Sequence, residues 1–114
     1  MRVERLKRPR DFGRTVSSGT RYTNRWLVLF VSKAPGEPTR VGFAAARSAG
    51  TAVKRNRIRR RLRAAVAGLH RPFCPGRRIV VLGRAPVLDA SWQDLVDGLT
   101  ALLDRGKCLE GDRC

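Results

Sequence analysis

Residues 54–63, KRNRIRRRLR, place seven basic side chains in ten positions. Taken alone, such a run is usually a solvated basic tail or a localisation signal. The apolar residues within and just beyond it narrow the choice. Ile58, Leu62, Ala65, Val66 and Leu69 recur at i, i+4, i+7, i+8 and i+11, which traces one face of an α-helix. At about 100° per residue, Asn56, Arg60 and Arg63 turn away from that apolar stripe, and Arg57 and Arg59 flank them. Lys54 and Arg61 fall nearer the apolar edge. Arg55 falls nearest of all, so its stem is expected to pack while its guanidinium reaches water. A helix docked by one face and lined with guanidinium groups on the other is suited to phosphates, because each planar fork pairs with two oxygens at once. The expected partner is a nucleic acid, weighed against a merely solvated face.

Charge supports this expectation. The formal net charge is +16, and it is unevenly spread. Residues 1–88 carry 22 basic and 3 acidic side chains, whereas residues 89–114 carry 3 and 6. That concentration calls for a polyanionic partner, and a hydrophobic content of 42% argues for a folded domain rather than a disordered arm. No apolar run approaches the ~18 residues of a membrane-spanning helix. The first residues are basic (Arg2, Arg5, Lys7, Arg8, Arg10) but lack the apolar region of a secretory signal, and Glu4, Pro9 and Asp11 fit a mitochondrial presequence poorly. Cys74, Cys108 and Cys114 have neither C-x-x-C spacing nor a nearby His, so reduced structural or incidental thiols are expected rather than a metal site. The natural compartment is the cytosol.

Along the chain, residues 9–18 predict a first helix, with Pro9 in its first turn, Gly19 after its last, and Phe12 and Val16 at i, i+4 on one side. Residues 22–33 predict a strand, and residues 34–38, APGEP, carry hairpin chemistry. A second strand is predicted over 39–46. Its Gly42, Ala44 and Ala46 share one face, and Val41, Phe43 and Ala45 the other. The small-residue face is either a packing compromise against a helix or the floor of a shallow groove. Thr51 is placed to cap the basic helix, which stops before Pro72 with His70 at its exposed end. After a loop over 73–76, residues 77–84 predict a strand buried on both faces. Ser91 caps a last helix that ends at Gly106, with Trp92, Leu95, Val96, Leu99, Leu102 and Leu103 on one side and Asp94, Asp97 and Asp104 on the solvated side. The order is helix, two or three strands, basic helix, strand, helix. It predicts one α+β domain over residues 1–114, an α/β sandwich or split βαβ unit, with flexible ends at about residues 1–8 and 107–114.

Catalytic groups are not legible. A metal-free ribonuclease needs a general acid and a general base, and there is one His. A two-metal nuclease needs clustered carboxylates, yet the basic part of the chain offers only Glu4, Asp11 and Glu37, scattered over a terminus, a helix start and a turn. No phosphate-binding loop, nucleophile elbow or zinc constellation is present. The residues predict a binding protein.

Residues 40–65, RVGFAAARSAGTAVKRNRIRRRLRAA, resemble the signature region of the protein subunit of bacterial ribonuclease P, chiefly through Arg55-Asn56-Arg57 and the R-R-x-L-R just after it. Arg5-Leu6, Asp11-Phe12, Ser18-Gly19-Thr20, Asn24-Arg25 and Ile79-Val80-Val81 through Arg84 extend the resemblance to both ends. It implies the fold of the second domain of ribosomal protein S5, in the order α-β-β-β-α-β-α, with a left-handed βαβ crossover against the usual right-handed preference. It also implies an endoribonuclease holoenzyme that removes the 5′ leader of precursor tRNA, with catalysis by a large RNA using Mg²⁺ and no protein metal site. The protein is then expected to be cytoplasmic, monomeric in a 1:1 complex with that RNA, and without DNA or membrane partners. Carried over by position, Lys54, Arg55, Asn56, Arg57, Arg59, Arg60 and Arg63 match the catalytic-RNA contact, and Phe12, Val16, Phe30, Ala44 and Arg47 match the leader cleft. Two positions depart from the family pattern: Val16, where a second aromatic is common, and Ser48, where a Lys pair often precedes the glycine. The competing class is a structural, ribosomal-protein-like RNA binder of the same fold. A DNA-binding module ranks below both, since no helix-turn-helix is present.

Overall fold

The structure, a computed structural model, describes residues 4–112 and 114. Its elements are β1 (Glu4–Arg5), α1 (Pro9–Ser18), β2 (Thr20–Thr23), β3 (Leu27–Lys33), β4 (Arg40–Ala45), α2 (Ala52–Ala67), β5 (Arg77–Gly83) and α3 (Trp92–Arg105). Short 3₁₀ turns at Arg47–Ala49 and Ala85–Leu88 come after β4 and β5. Residues 1–3 and 113, within the ends expected to be flexible, lie outside the described residues. The described parts of both ends pack: Leu6 is 6% exposed and donates its N–H to Val41 O, and Cys108 and Leu109 are buried.

The strands form one sheet in the order β1-β4-β5-β3-β2. β4 runs parallel to β5 and β1, while β3 is antiparallel to both β5 and β2. Two strand expectations need correction. Residues 22–33 are two strands, because Asn24 turns the chain: its Oδ1 accepts from the N–H groups of Trp26 at 3.0 Å and Leu27 at 2.9 Å. Such Asx chemistry is local and can sit unseen within a β-branched, aromatic run. The turn after β3 is also no hairpin. β3 and β4 lie on either side of β5, which inserts between them. The apolar run Ile79-Val80-Val81 gains most from a central position covered on both faces, and local turn residues carry no record of it.

α1 lies on one face of the sheet and α2 with α3 on the other. The second face holds the core: Leu27, Leu29, Val31, Val41, Ile79 and Val81 meet Ile58, Leu62, Ala65 and Val66 of α2 and Leu95, Leu99, Leu102 and Leu103 of α3. α2 approaches the sheet closely because Gly83 leaves it room; a Cβ there would stand 2.3 Å from Ile58 Cγ2. Both long helices start at the caps expected, with Thr51 Oγ1 accepting from Lys54 N–H and Ser91 Oγ from Asp94 N–H. Trp92 departs from the apolar face of α3 and is 48% exposed. Asp104 is not merely solvated, because it pairs with Arg71.

The expectation of three reduced thiols is overturned. Cys74 and Cys114 form a disulfide across a sequence separation of 40, with Cα atoms 5.6 Å apart. No local spacing announces it. The pairing depends on the C-terminal segment folding back, where Cys74 N–H donates to Cys108 O at 2.7 Å and Phe73 bridges Leu109. Cys108 stays free and buried, and its thiol is pushed up to about 12 by burial, with Arg77 pulling it down and Asp112 pushing it further up.

Candidate nucleic-acid interface

α2 turns Ile58, Leu62, Ala65 and Val66 into the core and leaves Lys54, Asn56, Arg57, Arg60 and Arg63 exposed. Arg55, Arg59 and Arg61 are half-buried. The helix carries no acidic residue, and among the described residues every ion pair falls to Arg40, Arg71 or Arg78. The positive charge of α2 is therefore uncompensated by carboxylates. Arg59 is oriented by donating Nη2–H to Asn56 Oδ1 one turn back. Arg61 is diverted to structure, donating Nη1–H to the carbonyl of Val87 in the turn after β5. Arg55 does not simply reach water as expected, since its Nε is buried without a hydrogen-bond partner. Arg63 does not point straight out either; its guanidinium lies 5.9 Å from the centre of the Phe43 ring, at the margin of the sheet.

On the opposite face, α1 seats Phe12 directly over Gly42. A Cβ on Gly42 would stand 2.9 Å from both Cδ2 and Cε2 of the Phe12 ring. One turn along, buried Thr15 donates its hydroxyl to Asp11 O at 2.8 Å and lies 3.5 Å from Ser32 Oγ of β3. The register puts Gly42, Val80 and Phe30 in one row on this face, and Ala44, Leu82 and Val28 in the next. Phe30, Ala44 and Leu82 are only half-buried, so beyond α1 the sheet face stays partly open. Val16, 37% exposed, stands on the α1 side, and Arg47 is exposed just past the end of β4. At Gly42 the small-residue face is packing room for a helix, while Ala44, further along β4, is half-buried. Phe12, Val16, Phe30 and Ala44 belong to the α1 face of the sheet, with Arg47 at its end, and the basic residues of α2 belong to the other face.

Glu4, Asp11 and Glu37, scattered in sequence, converge. Arg40 lies 3.3 Å from Glu4 and 3.2 Å from Glu37, and Arg78 lies 3.1 Å from Glu37 and 4.0 Å from Asp11. The sheet brings Arg40 and Arg78 side by side in register, which is what gathers the three carboxylates from β1, α1 and the turn after β3. Each carboxylate is engaged by a guanidinium. Among the described residues no group of three or more His, Cys, Asp or Glu is arranged to hold a metal ion. The network pins the start of α1 to the sheet, next to Phe12.

A family model described as Ribonuclease P matches residues 1–107. The ribonuclease P protein component of Chloroflexus aurantiacus is 43% identical over 109 residues, covering 95% of this chain and 80% of that protein. The corresponding protein of Symbiobacterium thermophilum is 41% identical over 107 residues, covering 93% of each. Among solved structures, the ribonuclease P protein of Thermotoga maritima superposes with a TM-score of 0.74 at 27% identity, covering 90% of this chain and 96% of that one. That of Staphylococcus aureus gives 0.76 at 25% identity over 100% and 99%.

Proposed function

The chain belongs to the ribonuclease P protein family, a protein subunit of the endoribonuclease that matures the 5′ end of tRNA, and we propose that it divides that work between two surfaces. It partners the ribonuclease P RNA and the precursor tRNA substrate. In our reading α2 holds the catalytic RNA, with Lys54, Arg57, Arg60 and Arg63 meeting phosphates, Arg59 held in place by Asn56, and Arg55 at the buried margin. The cleft beside α1 holds the single-stranded leader, with bases against Phe12 and Phe30, Ala44 as floor, Val16 on the rim and Arg47 toward a phosphate. The observation that carries this division is that the uncompensated guanidinium face and the half-open aromatic face lie on opposite sides of one sheet. One RNA helix cannot cover both.

The carboxylates of this chain's basic part are tied up in ion pairs, so we place the Mg²⁺ of the reaction with the catalytic RNA. The protein supplies binding and positioning, as one copy per RNA, in the bacterial cytoplasm. Phe12→Ala tests the division. Base stacking on an aromatic ring is worth about 1–3 kcal/mol per base, so the holoenzyme should lose that much affinity for precursor tRNA and none for mature tRNA. Affinity of the protein for the catalytic RNA should stay unchanged. Equal losses for precursor and mature tRNA would remove the cleft from the account.

A further inference from the structure

β1 pairs with β4 only at Arg40 and Val41, so the edge of β4 from Phe43 onward has no strand beside it among the described residues. A cavity of about 330 Å³ lies at this open edge and is lined from both faces of the sheet: Phe12 and Gly42 from one side, Phe43 and Arg63 from the other, with Arg5, Leu6 and Lys7 completing the lining. It is the seam at which the α1 face and the α2 face meet. Its charge is also distinctive. Arg40 and Arg78, one strand position away, are neutralised by Glu4, Asp11 and Glu37, whereas Arg5, Lys7 and Arg63 form no ion pair among the described residues. Arg5 and Lys7 are exposed and make no hydrogen bond through their side chains among the described residues, so neither serves the fold visibly.

We infer that this seam is a further RNA contact, in which Arg5 and Lys7 hold a backbone phosphate of the leader strand next to the base stacked on Phe12. The inference rests on the leader-cleft reading above. The occupant is single-stranded, because a cavity at the small end of ligand pockets admits about one nucleotide and no double helix. It is polyanionic, because Arg5, Lys7 and Arg63 line this cavity with no carboxylate among its lining residues; Arg5 and Lys7 also border the neighbouring cavity in which Glu4, Asp11 and Glu37 pair with Arg40 and Arg78. We assign it to the leader because Phe12, seated over Gly42, lines the same cavity; Arg63, assigned above to the catalytic RNA, lines it from the α2 side, and the catalytic-RNA arm of the test below separates the two.

The test is the double substitution Arg5→Gln and Lys7→Gln in reconstituted holoenzyme, with precursor tRNAs whose leaders lengthen one nucleotide at a time. Precursor affinity should fall about tenfold once the leader is long enough to enter the seam, and the slope of log K against log salt should become shallower by about 0.7, the share of one single-strand phosphate, for those precursors alone. Mature tRNA, precursors with the shortest leaders and the catalytic RNA should bind as before. A loss in catalytic-RNA affinity instead would reassign the two cations and overturn the proposal, as would unchanged precursor binding at every leader length. Phe12→Ala run alongside keeps the two readings apart: if it still separates precursor from mature tRNA while the double variant does nothing, the cleft stands and the seam does not.

Discussion

The contact between Phe12 and Gly42 can be tested by crowding it. In Gly42→Ala the new methyl would stand 2.9 Å from two carbons of the Phe12 ring and 3.4 Å from Leu6 Cβ. Ordinary carbon contacts begin near ~3.5 Å, so the ring or α1 must move by roughly 0.5–1 Å. Overpacking of this kind costs about 1–3 kcal/mol. Phe12→Ala alone should cost less than the ~3–5 kcal/mol of a fully buried Phe, because the ring is half-buried. In the double variant the methyl fills part of the space the ring vacates, so the crowding cost vanishes. The two losses should therefore fail to add, by about 1–3 kcal/mol in favour of the double variant. Urea denaturation of the four proteins measures this directly. Precursor-tRNA affinity should fall in Gly42→Ala while catalytic-RNA affinity holds, since the displaced ring lies on the α1 face only. Losses that add to within about 0.5 kcal/mol would refute the contact and the positioning of Phe12 argued from it.

The core and the cysteines give three further expected outcomes. Leu62→Ala, fully buried on α2, should cost about 2–5 kcal/mol in chemical denaturation yet leave the salt slope of RNA binding intact. For Cys108 the native thiol is held up to about 12 against an ordinary value of 9.0, so its contribution is present below pH 9 and is lost as pH rises from there toward 12. Between pH 8 and pH 10 the wild type should lose on the order of 1 kcal/mol more stability than Cys108→Ala, and parallel pH profiles would refute the burial of that thiol. Cys114→Ser should cost about 2–4 kcal/mol through the released 40-residue loop, and adding reductant to the wild type should reproduce that loss. A melting temperature indifferent to reductant would count against the Cys74–Cys114 bridge.

The features legible in the sequence are those that local chemistry decides. The three helices and their caps at Thr51 and Ser91 could be read because periodicity and capping act within a few residues. The outward placement of Asn56, Arg57 and Arg60 comes from the same periodicity, whereas Lys54, expected nearer the apolar edge, is exposed. Long-range pairing was less legible. The insertion of β5 between β3 and β4, the convergence of Glu4, Asp11 and Glu37 on Arg40 and Arg78, and the reach of Cys114 to Cys74 all depend on sheet order, which no window of the chain contains. Arg61 shows the limit within a single helix. Its position near the apolar edge was readable, but its bond to the Val87 carbonyl depends on a turn 26 residues further on. The seam at Arg5 and Lys7 was missed because a two-residue strand has no periodicity, although two exposed cations around buried Leu6 were a signal available in principle.

If the outward face of α2 meets RNA phosphates, the salt dependence of catalytic-RNA binding must register each of them. Each neutralised phosphate contributes about −0.7 to −0.9 to the slope of log K against log salt. Arg60→Ala removes an exposed guanidinium that forms no ion pair among the described residues and lies opposite the buried stripe, so the fold should be untouched. Binding should weaken and the slope should become shallower by about one unit, uniformly across RNA sequences. An affinity and a slope both unchanged from wild type would mean that this face is only solvated, and would contradict the account.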